Sequence, residues 1–309
     1  MIHFLKLIRI VNLLIIVFTM IGVADYLMIT NGYQYIEFNQ VEYGILVASI
    51  VFIAAGGNMI NDYFDLKADR INKPERVIVS RFIKKRWVII LHWSINIIAL
   101  IISIYLSYKY ATLLFVFVHL ISINALWFYS IYFKRKLLIG NLIIAGLTGI
   151  VPILAVWYFK TLNETGLKHS PYHEHTWSNY LDYHFVYFIA FAAFMMNLSR
   201  EIVKDAQDIE GDKAIGALSL PMKLGIFWSN ILALIILQLP ALLGIYLFKS
   251  EWFVPYNYES YFLAISALIN ACTLVGFLCV KKPSYKFIHL LIKLSMFIGL
   301  LSLFCPYFP

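Results

Sequence analysis

Nine apolar stretches dominate this sequence, and each is close to the length needed to cross a membrane. They fall at residues 10–29, 43–60, 87–107, 112–131, 138–158, 183–198, 226–247, 262–280 and 287–304. A hydrocarbon core of ~30 Å needs about 20 apolar residues in helical form. A lone apolar segment in lipid can satisfy its backbone only as a helix. The sequence therefore predicts an all-α, polytopic membrane protein with nine transmembrane helices. Composition agrees: 61% of residues are hydrophobic and 14% charged, against roughly 45–50% and 25% in soluble domains. Mean hydropathy is +0.78. The sixth stretch is the shortest and runs straight into charged residues. No linker divides the chain, so residues 1–309 read as one membrane domain. The first stretch follows Lys6 and Arg9 without a small-x-small cleavage pattern, and reads as a span, not a cleavable leader.

The net charge of +8 could suggest nucleic acid in a soluble protein. Here its distribution gives a better account. With the N-terminus inside, 20 Lys and Arg fall in the inner segments and four in the outer ones. Positive residues accumulate on the cytoplasmic side of spans, so the predicted orientation is N-in and C-out, with no nucleic-acid role. No protein partner is implied. Cys272, Cys279 and Cys305 lie in apolar runs without CxxC spacing. They are expected to be buried thiols, not a disulfide or metal site. His169, His173 and His175 sit in the outer loop 160–182 and are expected to be solvated.

The acids are more informative. Four lie between Asp62 and Glu75 and five between Glu201 and Asp212, nine of the 17 in the chain. Both groups follow an even-numbered span, which puts them on the same, cytoplasmic face. Asn61, Asp65 and Asp69 are spaced i, i+4, i+8 and share one face if the second helix continues past the membrane, until Pro74 ends it. Asp208 and Asp212 repeat the i, i+4 spacing, with Asp205 a turn earlier, and Gly211 is expected to strain or end that helix. Like charges at this spacing repel, and a divalent cation reverses the sign. Magnesium takes hard oxygen ligands, usually one or two carboxylates completed by phosphate oxygens and water. Two such clusters suit two Mg²⁺ ions bridging a diphosphate, with nearby basic residues on its remaining oxygens.

At these residues the chain resembles the UbiA superfamily of intramembrane prenyltransferases. The family pattern NDxxDxxxD matches Asn61-Asp62-Tyr63-Phe64-Asp65-Leu66-Lys67-Ala68-Asp69, and DxxxD matches Asp208 to Asp212. Arg9 and Asn12 look like the family's Arg/Asn pair at the first helix. Tyr129 and Lys134 look like its Tyr/Lys contribution to diphosphate binding. The resemblance implies a UbiA-type helix bundle and a polyprenyl diphosphate donor. It implies Mg²⁺, with Asn61, Asp65, Asp69, Asp208 and Asp212 as ligands and Asp62 or Asp205 assisting. Arg76, Arg200 and Lys204 are candidates for phosphate groups. The stretches Arg200 to Asp205 and Asn72-Lys73-Pro74-Glu75-Arg76 are similar to the branch that transfers geranylgeranyl to geranylgeranylglyceryl phosphate. This chain departs from that branch at Val77, where Pro is usual, and at Ser80, which no Gly follows.

Other readings have weaker anchors. Members with aromatic acceptors, serving quinone, chlorophyll or haem synthesis, share the first motif. A transporter could use Asp25 in the first span, but transport places key charges near the midplane, not clustered at one face. No phosphate-binding GxxxxGK loop, HExxH helix or GxSxG elbow is present. The expectation is a multi-pass integral membrane protein, of the plasma membrane if the source is prokaryotic, with its active site facing the cytoplasm.

Overall fold

A computed structural model describes residues 2–30, 38–169, 183–249, 257–279 and 284–307; side chains of Arg76, 163–169, 248–249, 257–258 and 306–307 are excluded. His173 and His175 therefore lie outside what is described, as do the side chains of His169 and Arg76. The described residues form helices throughout, with one isolated bridge between Val79 and Ile83. Among them, nine helices are long and apolar enough to span a membrane.

The chain divides into two compact units. The first comprises Met1–Phe18, Phe38–Ile143 and Asp208–Ser219. Its helices are α1 (Ile2–Leu7), the start of α2 (Ile10–Thr30), α3 (Gln40–Phe64), α4 (Leu66–Asn72), α5 (Lys85–Lys109), α6 (Leu114–Ile131), the first turn of α7 (Ile139–His169) and, far along the chain, α9 (Ile209–Ala214). Helix α3 is central, packing against α5 and α6. Adjacent glycines make this possible. A Cβ on Gly56 would lie 2.9 Å from Asn96 Nδ2 on α5, and one on Gly57 would lie 2.7 Å from Leu126 Cδ1 on α6. Small residues let helices approach closely in lipid, where polar side chains also bond between them. Here the His92 ring nitrogen meets the Gly56 carbonyl at 2.9 Å, and His119 meets Ser49 at 2.8 Å. At the far end of α3 the buried Glu42 accepts from Tyr110 and pairs with Lys109.

The second unit holds Thr19–Glu37, Ile144–Gln207 and Leu220–Pro309. Helix α8 (His184–Gln207) packs against α11 (Ile226–Lys249) and α13 (Tyr285–Leu301), and α12 (Asn257–Cys279) lies against α11 and α13. A short helix, α10 (Leu220–Leu224), precedes α11. Polar pairs again join helices: Asn197 donates to Thr148 Oγ1 at 2.8 Å, and Ser266 meets Ser295 at 2.9 Å.

Two expectations are corrected here. Cys272 and Cys279 are exposed and only Cys305 is buried, although all three are free thiols. An apolar helix in lipid carries apolar residues on its outer face as well, so an apolar run does not imply burial. The sixth span does not stop near residue 198: α8 continues to Gln207 through Arg200, Glu201, Lys204 and Asp205. The charges that seemed to end it neutralise one another along the helix.

Candidate active site

The first acidic motif is built on a helix that bends without unravelling. Helix α3 closes at Asp65, whose N–H donates to the Asn61 carbonyl at 2.9 Å. Asp65 keeps a right-handed conformation (φ −80, ψ −5) and also begins α4. Asp69 N–H then donates to Asp65, and Lys73 N–H to Asp69, both at 2.8 Å. These i to i−4 bonds align Asn61, Asp65, Asp69 and Lys73 in a single row, the geometry expected of a period of 3.6. Lys73 ends α4 and a 3₁₀ turn follows at Pro74–Arg76. Val77 has φ −63, within the range that a proline ring imposes, so the substitution at this position leaves the backbone angle available to the family pattern. Ser80 adopts φ +69, the left-handed region glycine normally fills.

Asp65 and Asp62 each find a basic partner from another segment. Asp65 is 4% exposed and pairs with Lys134, which also donates a hydrogen bond to it. Lys134 is set by the 3₁₀ turn Phe133–Arg135 after α6. Burial pulls the ammonium pKa down, but the Asp65 carboxylate, with Tyr129 and Asp69 adding to it, outweighs burial and holds Lys134 well above its ordinary value. Lys134 thus stays charged throughout the neutral range. Tyr129 itself is buried at the end of α6. Asp62 accepts from Arg9 at 2.7 Å. Arg9 lies between α1 and α2 with φ +55, a strained conformation for a non-glycine residue costing of order 1–3 kcal/mol. Its carbonyl accepts the Asn12 N–H at 2.8 Å.

The second motif is brought to the first by residues that motif spacing does not single out. Asp208 separates α8 from α9 and both its carboxylate oxygens accept from Lys73, at 2.5 and 2.8 Å. Asn72 donates from Nδ2 to the Asp208 carbonyl at 3.0 Å and accepts the Gly211 N–H on Oδ1 at 2.8 Å. Gly211 neither strains nor ends its helix, contrary to the sequence expectation: it lies within α9. Its missing side chain serves close approach, since a Cβ there would be 2.3 Å from Asn72 Nδ2 and 2.8 Å from the Ala68 carbonyl. Asp212, one turn on, is buried, and its N–H donates to the Asp208 carbonyl at 3.1 Å. Beyond α9, Leu218 N–H donates to Arg135 O at 3.0 Å, tying this segment to the turn that carries Lys134.

The first unit therefore brings together Arg9, Asn61, Asp62, Asp65, Asp69, Tyr129, Lys134, Asp208 and Asp212. Arg200, Lys204 and Asp205 belong to the second unit. There, Arg200 and Lys204 both donate to Glu201, at 2.6 and 3.1 Å, and Glu201 is 5% exposed. Sequence reasoning missed Asn72, Lys73 and Glu201 as site-shaping residues. A signal existed for Lys73, which extends the 61, 65, 69 spacing by one more turn.

Among the described residues no three His, Cys, Asp or Glu side chains converge into a metal-holding cage. The donor chemistry nevertheless fits magnesium. Asn61 donates from Nδ2 to Asp65 at 2.7 Å, while its Oδ1 is buried without a hydrogen-bond partner. Buried polar atoms normally find a partner, and this one is a neutral hard oxygen beside a carboxylate. Magnesium draws few ligands from protein and the rest from phosphate and water.

The model of the UbiA prenyltransferase family matches residues 11–301. A digeranylgeranylglyceryl phosphate synthase from Methanosphaera stadtmanae is 30% identical over 289 residues, 92% of each chain. One from Thermococcus sibiricus is 32% identical over 183 residues, 59% of this chain and 56% of that protein. The aligned part is thus little more than half of the Thermococcus protein. A solved structure described as digeranylgeranylglyceryl phosphate synthase in membranes is similar at TM-score 0.56 and 25% identity, covering 97% of this chain and 96% of that one. A UbiA homologue from Archaeoglobus fulgidus, bound to DMAPP and Mg²⁺, shares the fold at TM-score 0.56 and 17% identity, over 98% of both chains.

Proposed function

This chain belongs to the UbiA prenyltransferase family, and from that premise we propose that it transfers a prenyl group, geranylgeranyl, from its diphosphate to the hydroxyl of geranylgeranylglyceryl phosphate. The observation that carries this reading is the junction of the two acidic motifs in one unit, where Lys73 and Asn72 grip Asp208 and Lys134 grips Asp65. The names of the relatives at 30–32% identity support the acceptor. We read residues 1–309 as one transmembrane domain, N-in and C-out, with the motifs at the cytoplasmic face of the membrane.

In this reading Asn61, Asp65, Asp69, Asp208 and Asp212 hold Mg²⁺, as two ions, which when bound would supply Lewis-acid neutralisation of the leaving diphosphate. The remaining work falls to the chain itself. Lys134, Lys73 and Arg9 stand beside the acids as cations for diphosphate oxygens, where charge-assisted bonds are the strong ones. Tyr129 and Asn12 complete the donor side, with Asp62 holding Arg9 and Asp205 assisting at the end of α8. The allylic C–O bond breaks with its electron pair leaving on the diphosphate. The acceptor oxygen then bonds to the allylic carbon and gives its proton to the released diphosphate. Arg76, Arg200 and Lys204 serve the acceptor phosphate. Glu201 fixes both cations of α8 by ion pairing.

The test is direct. Purified protein in lipid is given radiolabelled geranylgeranyl diphosphate and Mg²⁺, with either geranylgeranylglyceryl phosphate or a panel of aromatic acids. Transfer to the glyceryl phosphate is expected. Transfer only to an aromatic acceptor would move the chain to quinone or pigment synthesis. Lys204→Ala is expected to cost the phosphate-bearing acceptor about 10-fold or more in kcat/KM, equivalent to the 1.5–3 kcal/mol of a charged hydrogen bond. An equal loss with a phosphate-free acceptor would reassign Lys204 to the donor.

A further inference from the structure

Two acidic motifs separated by more than 130 residues can cooperate only if something sets their spacing. Their carboxylates repel, so they cannot do it themselves. In this fold two adjacent side chains of the first motif's helix span the gap: Lys73 pairs with the Asp208 carboxylate, and Asn72 binds the backbone around it. Asn72 presents its amide edge-on to the second motif, donating to the Asp208 carbonyl at 3.0 Å and accepting from the Gly211 N–H at 2.8 Å. Both bonds are to backbone, so they read the course of α9 and not the identity of its side chains. They bracket the turn from which Asp208 and Asp212 project. Glycine is the residue that fits opposite, because any Cβ at position 211 would stand 2.3 Å from the Asn72 nitrogen. Asn72 is itself the last residue of α4, three residues past Asp69. Asp69 of the first motif and the grip on the second are thus carried by the same short helix.

We propose that Asn72 is a positioning residue that holds the second acidic motif in register with the first, with Gly211 as its obligatory counterpart. The proposal rests on the reading that the two motifs share a metal–diphosphate site, and it adds the element that brings them into one site. Asn72 touches no reacting atom; it acts through the backbone of Asp208 and Gly211.

Hydrogen exchange and metal binding test this separately from catalysis. The Gly211 N–H is a built-in reporter, since its acceptor is the Asn72 side chain. In the metal-free full-length protein, Asn72→Ala should speed backbone exchange across residues 208–212 by tenfold or more, with exchange in the membrane helices unchanged. Titration with Mn²⁺ alone, followed by electron paramagnetic resonance, should show about tenfold weaker binding. Prenyl transfer should fall through a raised metal requirement and recover as Mg²⁺ is increased, a rescue that removal of a ligand would not allow. Asn72→Asp keeps the acceptor for Gly211 and loses the donor to Asp208. It should fall between wild type and alanine in exchange, and it decides the matter if the alanine variant does not fold. Unchanged exchange, or faster exchange with unaltered Mn²⁺ affinity, would overturn the proposal. Failure of the wild type to bind Mn²⁺ would instead refute the metal reading, and exchange alone would then judge Asn72.

Discussion

Asp65→Ala and Asp208→Ala are each expected to abolish Mg²⁺-dependent prenyl transfer while leaving a membrane-inserted protein. The loss should be at least about 10³-fold, because metal neutralisation of a leaving group is worth several kcal/mol and each 1.36 kcal/mol is about tenfold. The two variants should differ in stability. Asp65 is nearly inaccessible and paired with Lys134, so alanine leaves a half-buried ammonium without this carboxylate. Asp208 is more open, at 16% side-chain exposure against 6% for Asp65, so its loss should cost less. Asp65→Asn separates the effects, since it keeps an oxygen for the Asn61 amide while removing the charge. Product formation from radiolabelled donor, alongside gel filtration of the solubilised protein, gives both answers. Turnover near the wild-type value in either alanine variant would sink the metal assignment.

Glu201→Ala should produce the largest loss of stability in the second unit. Its carboxylate is buried and accepts from both Arg200 and Lys204. Removing the shared partner leaves two half-buried cations, 21% and 31% exposed, without this carboxylate; breaking a fully buried pair costs about 3–5 kcal/mol, and water reaching these two lowers that figure. Lys204→Ala should cost much less, because Glu201 retains Arg200. Thermal unfolding in detergent, followed by tryptophan fluorescence, compares the two. Equal midpoints for wild type and Glu201→Ala would show that α8 does not depend on this carboxylate. The same group explains why the sixth span outruns its apolar stretch: the helix carries its own neutralising partner at i, i+3.

Helix number and the row Asn61, Asp65, Asp69 were legible because both are properties of a single segment. Apolar length decides whether a helix can cross lipid, and a period of 3.6 decides which of its residues share a face. Pro74 likewise announced where α4 would stop. The same local rules were silent about exposure within a span, which is how Cys272 and Cys279 were misjudged, and about the place of Gly211.

What the sequence by itself determined is therefore the all-helical membrane architecture and the spacing of acids within each motif. Only the tertiary structure decided which cation meets which acid. Lys134 reaches Asp65 across 69 positions, Arg9 reaches Asp62 across 53, and Lys73 reaches Asp208 across 135. It also decided that Asn72 would join the motifs through backbone groups, and that Gly211 would be demanded by a neighbour's amide and not by its own dihedral angles. The physical reason is one of range. Helical periodicity is imposed by covalent geometry over a few residues, whereas a salt bridge or a close backbone approach depends on where packing delivers two remote segments, and many lysines and glycines were equally eligible until α4, α6 and α9 were packed.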